Sequence, residues 1–195
     1  MIIWINGAFG SGKTHTAAEL HRRIPDSFLY DPENVGFWLR DNEPESLWLD
    51  NFQDEPLWRT VNRDMLLHLA ANYSGTILVP MTLVSVRYYD EIIAAVRENG
   101  VDLRHFLLHP SKETVRKRLA SRGERENSWA WQQADRCYSA FENPIFENRI
   151  PNDRMTVPET AEAIAEAAGI ALTERAPRPT QWLNRIRTTL GAIRK

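Results

Sequence analysis

Short apolar runs alternate along the chain with longer stretches of helical periodicity. Five runs are apolar enough to form buried strands: residues 2–5, 28–30, 76–80, 103–109 and 154–157. The stretches between them repeat apolar residues every three or four positions, which is the spacing of amphipathic helices. Alternation of this kind predicts an α/β fold with parallel strands.

Turn and cap residues set the expected helix boundaries. Pro25 ends the first helix, Gly100 is the natural C-cap of a helix over residues 88–97, and Ser111 caps the next one. Further helices are predicted over residues 35–39, 57–69, 158–169 and 180–194, and another begins at Ser128.

The segment between the first strand and the first helix has the spacing G-x-x-x-x-G-K-[ST] of a phosphate-binding P-loop. It consists of Gly7, Ala8, Phe9, Gly10, Ser11, Gly12, Lys13 and Thr14. Its glycines let successive N–H groups face a polyphosphate, and the helix that starts near Gly12 adds the positive end of its dipole. Lys13 is expected to reach the β- and γ-phosphates and Thr14 to hold Mg²⁺. The flanking strand and helix favour this interpretation over a loop that only turns the chain, so the sequence predicts nucleoside triphosphate binding.

The ends of the second and third strands offer candidate acceptor-side residues. Asp31 could take a proton from a substrate hydroxyl or hold the metal through water, or it could simply start the turn at Pro32. Met81 and Thr82 follow the third strand, and no acid follows them. A conventional Walker B aspartate is therefore missing, which disfavours a mechanochemical ATPase, and the lack of an N-K-x-D motif disfavours a regulatory GTPase.

Residues 32–74 are rich in aromatic side chains and are the predicted substrate-binding helical region. Much of it must be core, but a flat, partly apolar ligand would use some of the rings. The candidate contacts in this region are Phe37, Trp38, Arg40, Trp58 and Arg59. The two arginines could meet a phosphate or another polar group, or they could be surface residues with solvated heads.

A helical lid is predicted over about residues 118–130. Arg118 and Arg122 are four residues apart and share a helix face, and residues 123–127 break the helix. These arginines could swing onto a transferring phosphoryl group and neutralise its developing charge. The alternative is a solvated basic face.

The charge distribution separates a C-terminal tail from the rest of the chain. The net charge is −2, which argues against a nucleic-acid partner, and the single Cys137 fits a reducing cytoplasm. From Arg175 onward there are six basic and no acidic residues, against 18 basic and 26 acidic residues before it. We therefore expect a domain over residues 1–175 and a basic amphipathic helix within residues 176–195. This helix either lies on an anionic membrane surface or packs on the domain, and it is not a transmembrane anchor.

Several segments resemble the bacterial tunicamycin-resistance protein family of ATP-binding proteins. The similarity begins at residues 1–14 and continues through residues 30–33, 56–59, 79–82, 111–114, 127–130 and 135–137. It implies a P-loop fold like that of small-molecule or nucleotide kinases, with a three-layer arrangement, a parallel five-stranded sheet and an ATP site at residues 7–14. It also implies protection against tunicamycin and a cytoplasmic protein that associates peripherally with the inner face of the cell membrane.

Three functions are compatible with this resemblance. The first is ATP- and Mg²⁺-dependent phosphorylation of a hydroxyl on tunicamycin, which is a uridine-containing acylated mimic of a UDP-amino-sugar. In this case Lys13, Arg118 and Arg122 would act on the phosphoryl group, and Asp31 would act on the acceptor hydroxyl. The second is sequestration of the drug without chemistry. The third is phosphorylation of a cellular UDP-sugar or nucleoside metabolite. The strand-end acid and the lid arginines favour chemistry, because a pure binder needs neither.

Overall fold

The predicted α/β architecture is confirmed by a computed structural model, which describes residues 1–121, 123–125 and 128–193. Its five strands pair in parallel in the order β2-β3-β1-β4-β5. They are β1 (Ile2–Gly7), β2 (Ser27–Leu29), β3 (Thr76–Pro80), β4 (Leu103–Leu108) and β5 (Arg149–Ile150).

Helices cover both faces of the sheet. In chain order they are α1 (Lys13–Arg23), α2 (Glu33–Asn42), α3 (Pro56–Asn72), α4 (Val86–Tyr89), α5 (Ala95–Glu98), α6 (Lys112–Ala120), α7 (Trp129–Ala140), α8 (Val157–Ala167) and α9 (Arg178–Ile193). A π-helical turn, Asp90–Ala94, joins α4 to α5, and 3-10 turns, Glu45–Leu47 and Phe52–Asp54, lie between α2 and α3.

Two apolar cores lie on opposite faces of the sheet, because successive side chains of a strand point to opposite sides. Ile2 and Trp4 of β1 join the core that contains residues of α3, α6 and α7. Ile3 and Ile5 join the core shared with α1 and α8. The result is a three-layer sandwich in which the carboxyl ends of β1 to β4 open on one edge, where the P-loop lies.

The predicted fifth strand, residues 154–157, is wrong. The strand that pairs with β4 is Arg149–Ile150, in register with Leu107 and Leu108. Pro151 follows it and has no N–H to continue the ladder. Residues 154–157 lead instead into α8, where the Thr156 side chain and Glu159 form a reciprocal capping box.

The basic C-terminal helix, α9, lies against α1 through polar contacts. The Thr189 hydroxyl is 3.2 Å from Nε2 of His15, and Arg22 donates to the Thr188 hydroxyl at 3.5 Å. Its apolar side chains stay exposed, with 63% of Trp182 and 55% of Leu190 accessible. Among the described residues no helix combines the length and apolar character that crossing a membrane requires.

Candidate functional site

The P-loop connects the end of β1 to the start of α1 through three glycines with positive φ angles. Gly7, Gly10 and Gly12 have φ values of +148°, +81° and +107°. A Cβ at Gly7 would lie 2.7 Å from the carbonyl oxygen of Leu108, so this position accepts only glycine without a shift of backbone. The first turn of α1 contains no acidic residue. This cradle fits a polyphosphate, as the sequence predicts.

Asn6 and Thr82 hold the backbone N–H and carbonyl of Gly7. The Asn6 side-chain oxygen accepts from the amide of Gly7 at 2.8 Å and from that of Leu83 at 2.9 Å. The Thr82 hydroxyl donates to the carbonyl oxygen of Gly7 at 2.9 Å. The loop after β3 is therefore tied to the first residue of the P-loop by side chains from both partners.

Lys13 and Thr14 stand where the motif places them, at the start of α1. The Lys13 ammonium donates to the carbonyl oxygens of Gly7 and Ala8, at 2.9 and 3.2 Å, and lies 5.5 Å from the centre of the Phe9 ring. Thr14 is exposed beside it. A lysine and a hydroxyl in this arrangement fit a phosphate chain and its Mg²⁺. Their roles as ligands stay predictions.

Arg118 reaches the P-loop from α6. Its guanidinium donates to the carbonyl oxygen of Ser11 at 3.0 Å and to that of Asn152 at 2.8 Å. The amide nitrogen of the Asn152 side chain donates to the same Ser11 oxygen at 3.0 Å. Arg118 thus braces the backbone of the P-loop in the structure, whereas contact with a phosphoryl group stays a prediction. Arg122, its predicted companion, lies outside the described residues.

Asp153 anchors the first turn of α6 to the loop after β5. Its carboxylate accepts from the Ser111 amide at 2.8 Å, the Ser111 hydroxyl at 2.6 Å and the Thr114 hydroxyl at 2.7 Å. These hydrogen bonds, led by those from Ser111 and Thr114, lower the pKa of Asp153 to about 2. The helix that carries Arg118 is therefore fixed at its N-terminal end.

Asp31 lies at the carboxyl end of β2, which pairs with β3 and not with β1. It is half-buried, and its side-chain oxygen accepts from the Glu33 amide at 3.1 Å at the start of α2. Both alternatives drawn from the sequence are compatible with this position: Asp31 opens the turn, and it stands on the same edge of the sheet as the P-loop.

The structure separates the predicted aromatic and basic contacts into core and surface residues. Trp58 is fully buried, and its indole N–H donates to the carbonyl oxygen of Pro32 at 3.0 Å. Phe37 is half-buried and packs edge-on against Phe52. Trp38 is 55% exposed, and by helical geometry it projects from the side of α2 opposite Gly36.

The two arginines predicted to meet a ligand have partners within the protein. Arg59 is buried, pairs with Glu91 and donates to the carbonyl oxygen of Gln53 at 2.7 Å. Arg40 is half-buried, stacks 5.7 Å from the ring centre of Trp48 and donates to a backbone oxygen of the following segment. Their predicted ligand contacts are untested, and the structure gives both a stabilising role.

Thr82 also connects the P-loop to the segment before α3. Its carbonyl oxygen accepts from the side-chain amide of Gln53 at 2.8 Å, while its hydroxyl contacts Gly7. Met81, next to it, is buried in the core, and its carbonyl oxygen accepts from the indole N–H of Trp4 at 3.1 Å. Thr82 is thus the point where the predicted substrate region and the phosphate site meet.

The sequence matches one protein-family model, described as an AAA domain, over residues 2–144. The chain belongs to this family. No curated protein matches the sequence significantly. The match spans all of the P-loop and all of the predicted lid.

Solved structures that superpose on this chain show the fold of the AAA domain. A tunicamycin resistance protein from Deinococcus radiodurans is 29% identical, covers 89% of this chain and 98% of its own, and superposes with a TM-score of 0.78. A sugar kinase from Janibacter sp. HTCC2649 is 18% identical over 87% of this chain and 95% of its own, with a TM-score of 0.58. The APS kinase of Mycobacterium tuberculosis, in complex with AMPPNP and APS, is 18% identical over 86% and 96%, with a TM-score of 0.54.

These similarities confirm the resemblance to the tunicamycin-resistance family and the P-loop kinase-like fold. The AAA domain has the fold of ATP-binding small-molecule kinases. Its predicted parallel five-stranded sheet is confirmed as well.

Several polar residues that shape this AAA domain were not predicted from the sequence. They are Asn6, Gln53, His105, Asn152 and Asp153. Burial lowers the pKa of His105 to about 3, so its neutral ring can accept from the Asn6 side-chain amide, 3.1 Å away. A polar residue inside an apolar strand was the available signal for Asn6 and His105, whereas the strand before Asn152 has only a weak pattern of its own. Nothing local marks Gln53.

Proposed function

We propose that this protein is an ATP-dependent phosphotransferase that acts on a hydroxyl group of tunicamycin or of a similar nucleotide-sugar-like molecule. The observation that carries the proposal is the connection through Thr82, which joins the phosphate loop to the Gln53 segment at the open edge of the sheet. A triphosphate in the loop and an acceptor beside that segment would be neighbours. The similarity to a tunicamycin resistance protein supports the choice of acceptor.

Different residues of the chain would perform the separate steps of such a transfer. The loop amides and Lys13 bind and orient the triphosphate, and Thr14 would hold Mg²⁺, which supplies charge neutralisation on the phosphates when bound. Asp31 is the proposed group that orients the acceptor hydroxyl and takes its proton. Arg118 stabilises the conformation of the P-loop by donating to the carbonyl oxygen of Ser11.

Mass spectrometry of the drug tests the proposal. Incubation of tunicamycin with the protein, ATP and Mg²⁺ should add the mass of one phosphoryl group and release ADP. The Lys13→Ala variant should give no product, because it lacks the ammonium that contacts the phosphates. Tunicamycin that stays unchanged while bound to the ATP-loaded protein would favour sequestration. Faster phosphorylation of UDP-sugars or nucleosides in a parallel reaction would favour a metabolic kinase.

A second proposal concerns location: α9 places the protein on the inner face of the membrane. It exposes Trp182, Leu183, Ile186 and Leu190 while its threonines face α1, and the surrounding charge is basic. An exposed apolar face next to arginines is typical of helices that lie on anionic lipid. Truncation after Ala176 should abolish sedimentation with anionic vesicles, and a truncated protein that still sediments would contradict this.

A further inference from the structure

The apolar side of α9 points away from the domain on which the helix packs. The half-buried positions of the helix include three polar residues, Gln181, Asn184 and Thr188. The opposite side exposes 63% of Trp182 and 55% of Leu190. An amphipathic helix that packs with its polar side inward leaves an apolar side for a partner. We call this opposite side the exposed face of α9.

A hollow on the exposed face of α9 is large enough for a bulky side chain. Its volume is about 260 Å³, several times the space that one water molecule occupies. The residues that line it are Trp182, Arg185, Ile186, Thr189 and Leu190. Three of these side chains are apolar and one is a cation. The hollow therefore suits an apolar group that has negative charge next to it.

The positive charge of α9 is not neutralised within the chain. From Arg175 onward the sequence contains six basic and no acidic residues. Arg178, Arg185 and Arg187 are exposed, and none of the three pairs with a carboxylate among the residues that the structure describes. These arginines can therefore attract an acidic surface from outside the copy that carries them.

A complementary surface lies on the segment between α2 and α3. Residues 41–55, which we call the acidic segment, contain six acidic and no basic residues: Asp41, Glu43, Glu45, Asp50, Asp54 and Glu55. In its middle Leu47, Trp48 and Leu49 expose 59%, 43% and 43% of their surface. Arg40 of α2 holds this apolar stretch in place, because its guanidinium lies 5.7 Å from the ring centre of Trp48 and donates to the carbonyl oxygen of Leu49 at 3.2 Å. The acidic segment thus presents an exposed indole between carboxylates.

The two surfaces lie on opposite faces of the sheet. α9 contacts α1, which contributes to the core that contains Ile3 and Ile5. The acidic segment follows α2, and both Leu39 of α2 and Phe52 of the segment pack in the other core. A contact between the two surfaces therefore needs a second copy of the chain. Because two different surfaces meet, such an association is head-to-tail and does not close as a symmetric dimer.

We infer that this protein self-associates in solution, with the acidic segment of one copy bound to the exposed face of α9 of the next. Trp48 would fill the hollow, and Glu45 and Asp50 would lie against the arginines of α9. The same face of α9 is the one proposed to lie on anionic lipid, so self-association and membrane contact exclude each other. The inference does not depend on the proposed phosphotransferase activity.

Sedimentation velocity of the full chain tests the inference. The average mass should rise with protein concentration past that of two chains, because the contact is head-to-tail. Raising the salt from about 0.1 to about 1 M shortens the Debye length from about 10 to about 3 Å and should weaken the association. Trp48→Ser should weaken it at least about tenfold, since a buried aromatic at the centre of an interface carries much of the binding energy. Met65→Ser removes an apolar side chain of similar exposure (41%) from α3 and should behave as wild type.

Exchanging the charges identifies the two surfaces. One variant combines Arg185→Glu with Arg187→Glu, and a second combines Glu45→Arg with Asp50→Arg. Each variant alone should stay monomeric, because its two surfaces then carry charge of the same sign, whereas an equimolar mixture should associate. The second variant keeps α9 unchanged and should still sediment with anionic vesicles. Such vesicles should also disperse the wild-type assemblies.

The inference and the membrane proposal can fail separately. Wild-type protein that stays monomeric at every concentration would overturn the inference, even if it binds vesicles. Association that is unchanged in Trp48→Ser would overturn it too, and so would a mixture of the two charge variants that stays monomeric while both are shown to be folded by their melting temperatures. Assemblies that form as expected in a protein that does not bind vesicles would refute the membrane proposal and support this one.

Discussion

Replacing Arg118 by alanine should weaken nucleotide binding by disturbing the backbone of the P-loop. The guanidinium fixes the carbonyl oxygen of Ser11 at 3.0 Å, and the carbonyl and N–H of one peptide group point in opposite directions. Holding the Ser11 oxygen outward therefore turns the N–H of Gly12 towards the phosphate site. Arg118 preorganises a donor for the phosphates in this way.

The expected size of the effect follows from the contacts that remain. Asn152 still donates to the Ser11 oxygen at 3.0 Å in the variant, so the loop loses one of two braces. One hydrogen bond from a charged donor contributes about 1.5 kcal/mol, which corresponds to roughly a tenfold rise in Kd. Because the brace acts on the loop and not on the γ-phosphoryl, ATP and ADP should lose affinity equally.

Fluorescence titration with both nucleotides measures this effect, and Arg116→Ala is the matched control. Arg116 is on the same helix, and its contact with Asp135 is exposed and long, at 3.5 Å. The loss of such a surface ion pair should change nucleotide affinity little. An unchanged ADP affinity combined with a fall in kcat would refute the bracing argument. That result would support the lid interpretation, in which Arg118 touches the transferring group.

Three further changes test other parts of the site. Gly7→Ala puts a Cβ 2.7 Å from the carbonyl oxygen of Leu108 and should lower the free energy of unfolding by about 2 kcal/mol and abolish ATP affinity, as measured by urea denaturation and titration. Thr82→Val removes the hydroxyl from Gly7 and should cost about 1 kcal/mol of stability while raising the KM for the acceptor. The pKa of Asp153 is lowered to about 2 in the folded protein from an ordinary 3.8, so its carboxylate stabilises the fold above pH 3.8, and this contribution disappears as the pH falls to about 2. Asp153→Asn should therefore lose about 1 kcal/mol near neutral pH and match wild type in urea denaturation near pH 2, whereas an equal loss at both pH values would refute the assignment.

The central strands could be predicted from the sequence because each is a mostly apolar run that is largely buried on both faces, although Arg104 and His105 interrupt the run in β4. β1, β3 and β4 were predicted to within two residues for this reason. β5 was not, since Arg149–Ile150 is a two-residue edge strand that is defined by its pairing with β4. Its own pattern is weaker than that of residues 154–157, in which Thr156 is the N-cap of α8 and Val157 its first residue.

The candidate site could be predicted only where a motif fixes backbone shape. The P-loop is specified locally by its glycines, so its position followed from spacing alone. The roles of Trp58 and Arg59 were harder to predict, because an aromatic or basic residue on an amphipathic helix can face either the core or a ligand. Only the contacts with Pro32 and Glu91 show that these two side chains are buried in the fold.

Under the proposed function, Thr82 has a connecting role at the end of β3, where no acid follows the strand. Its hydroxyl and the ammonium of Lys13 both donate to the carbonyl oxygen of Gly7, at 2.9 Å each. If Lys13 turned towards a phosphate, the carbonyl oxygen of Gly7 would still accept from the Thr82 hydroxyl. The movement of the lysine would therefore leave no unpaired acceptor. Because the carbonyl oxygen of Thr82 also accepts from Gln53, a ligand that moves the Gln53 segment would act on the residue that contacts Gly7. Thr82 thus connects the P-loop to the Gln53 segment. An ionised aspartate could not replace it, because a carboxylate has no hydrogen to donate to the Gly7 oxygen.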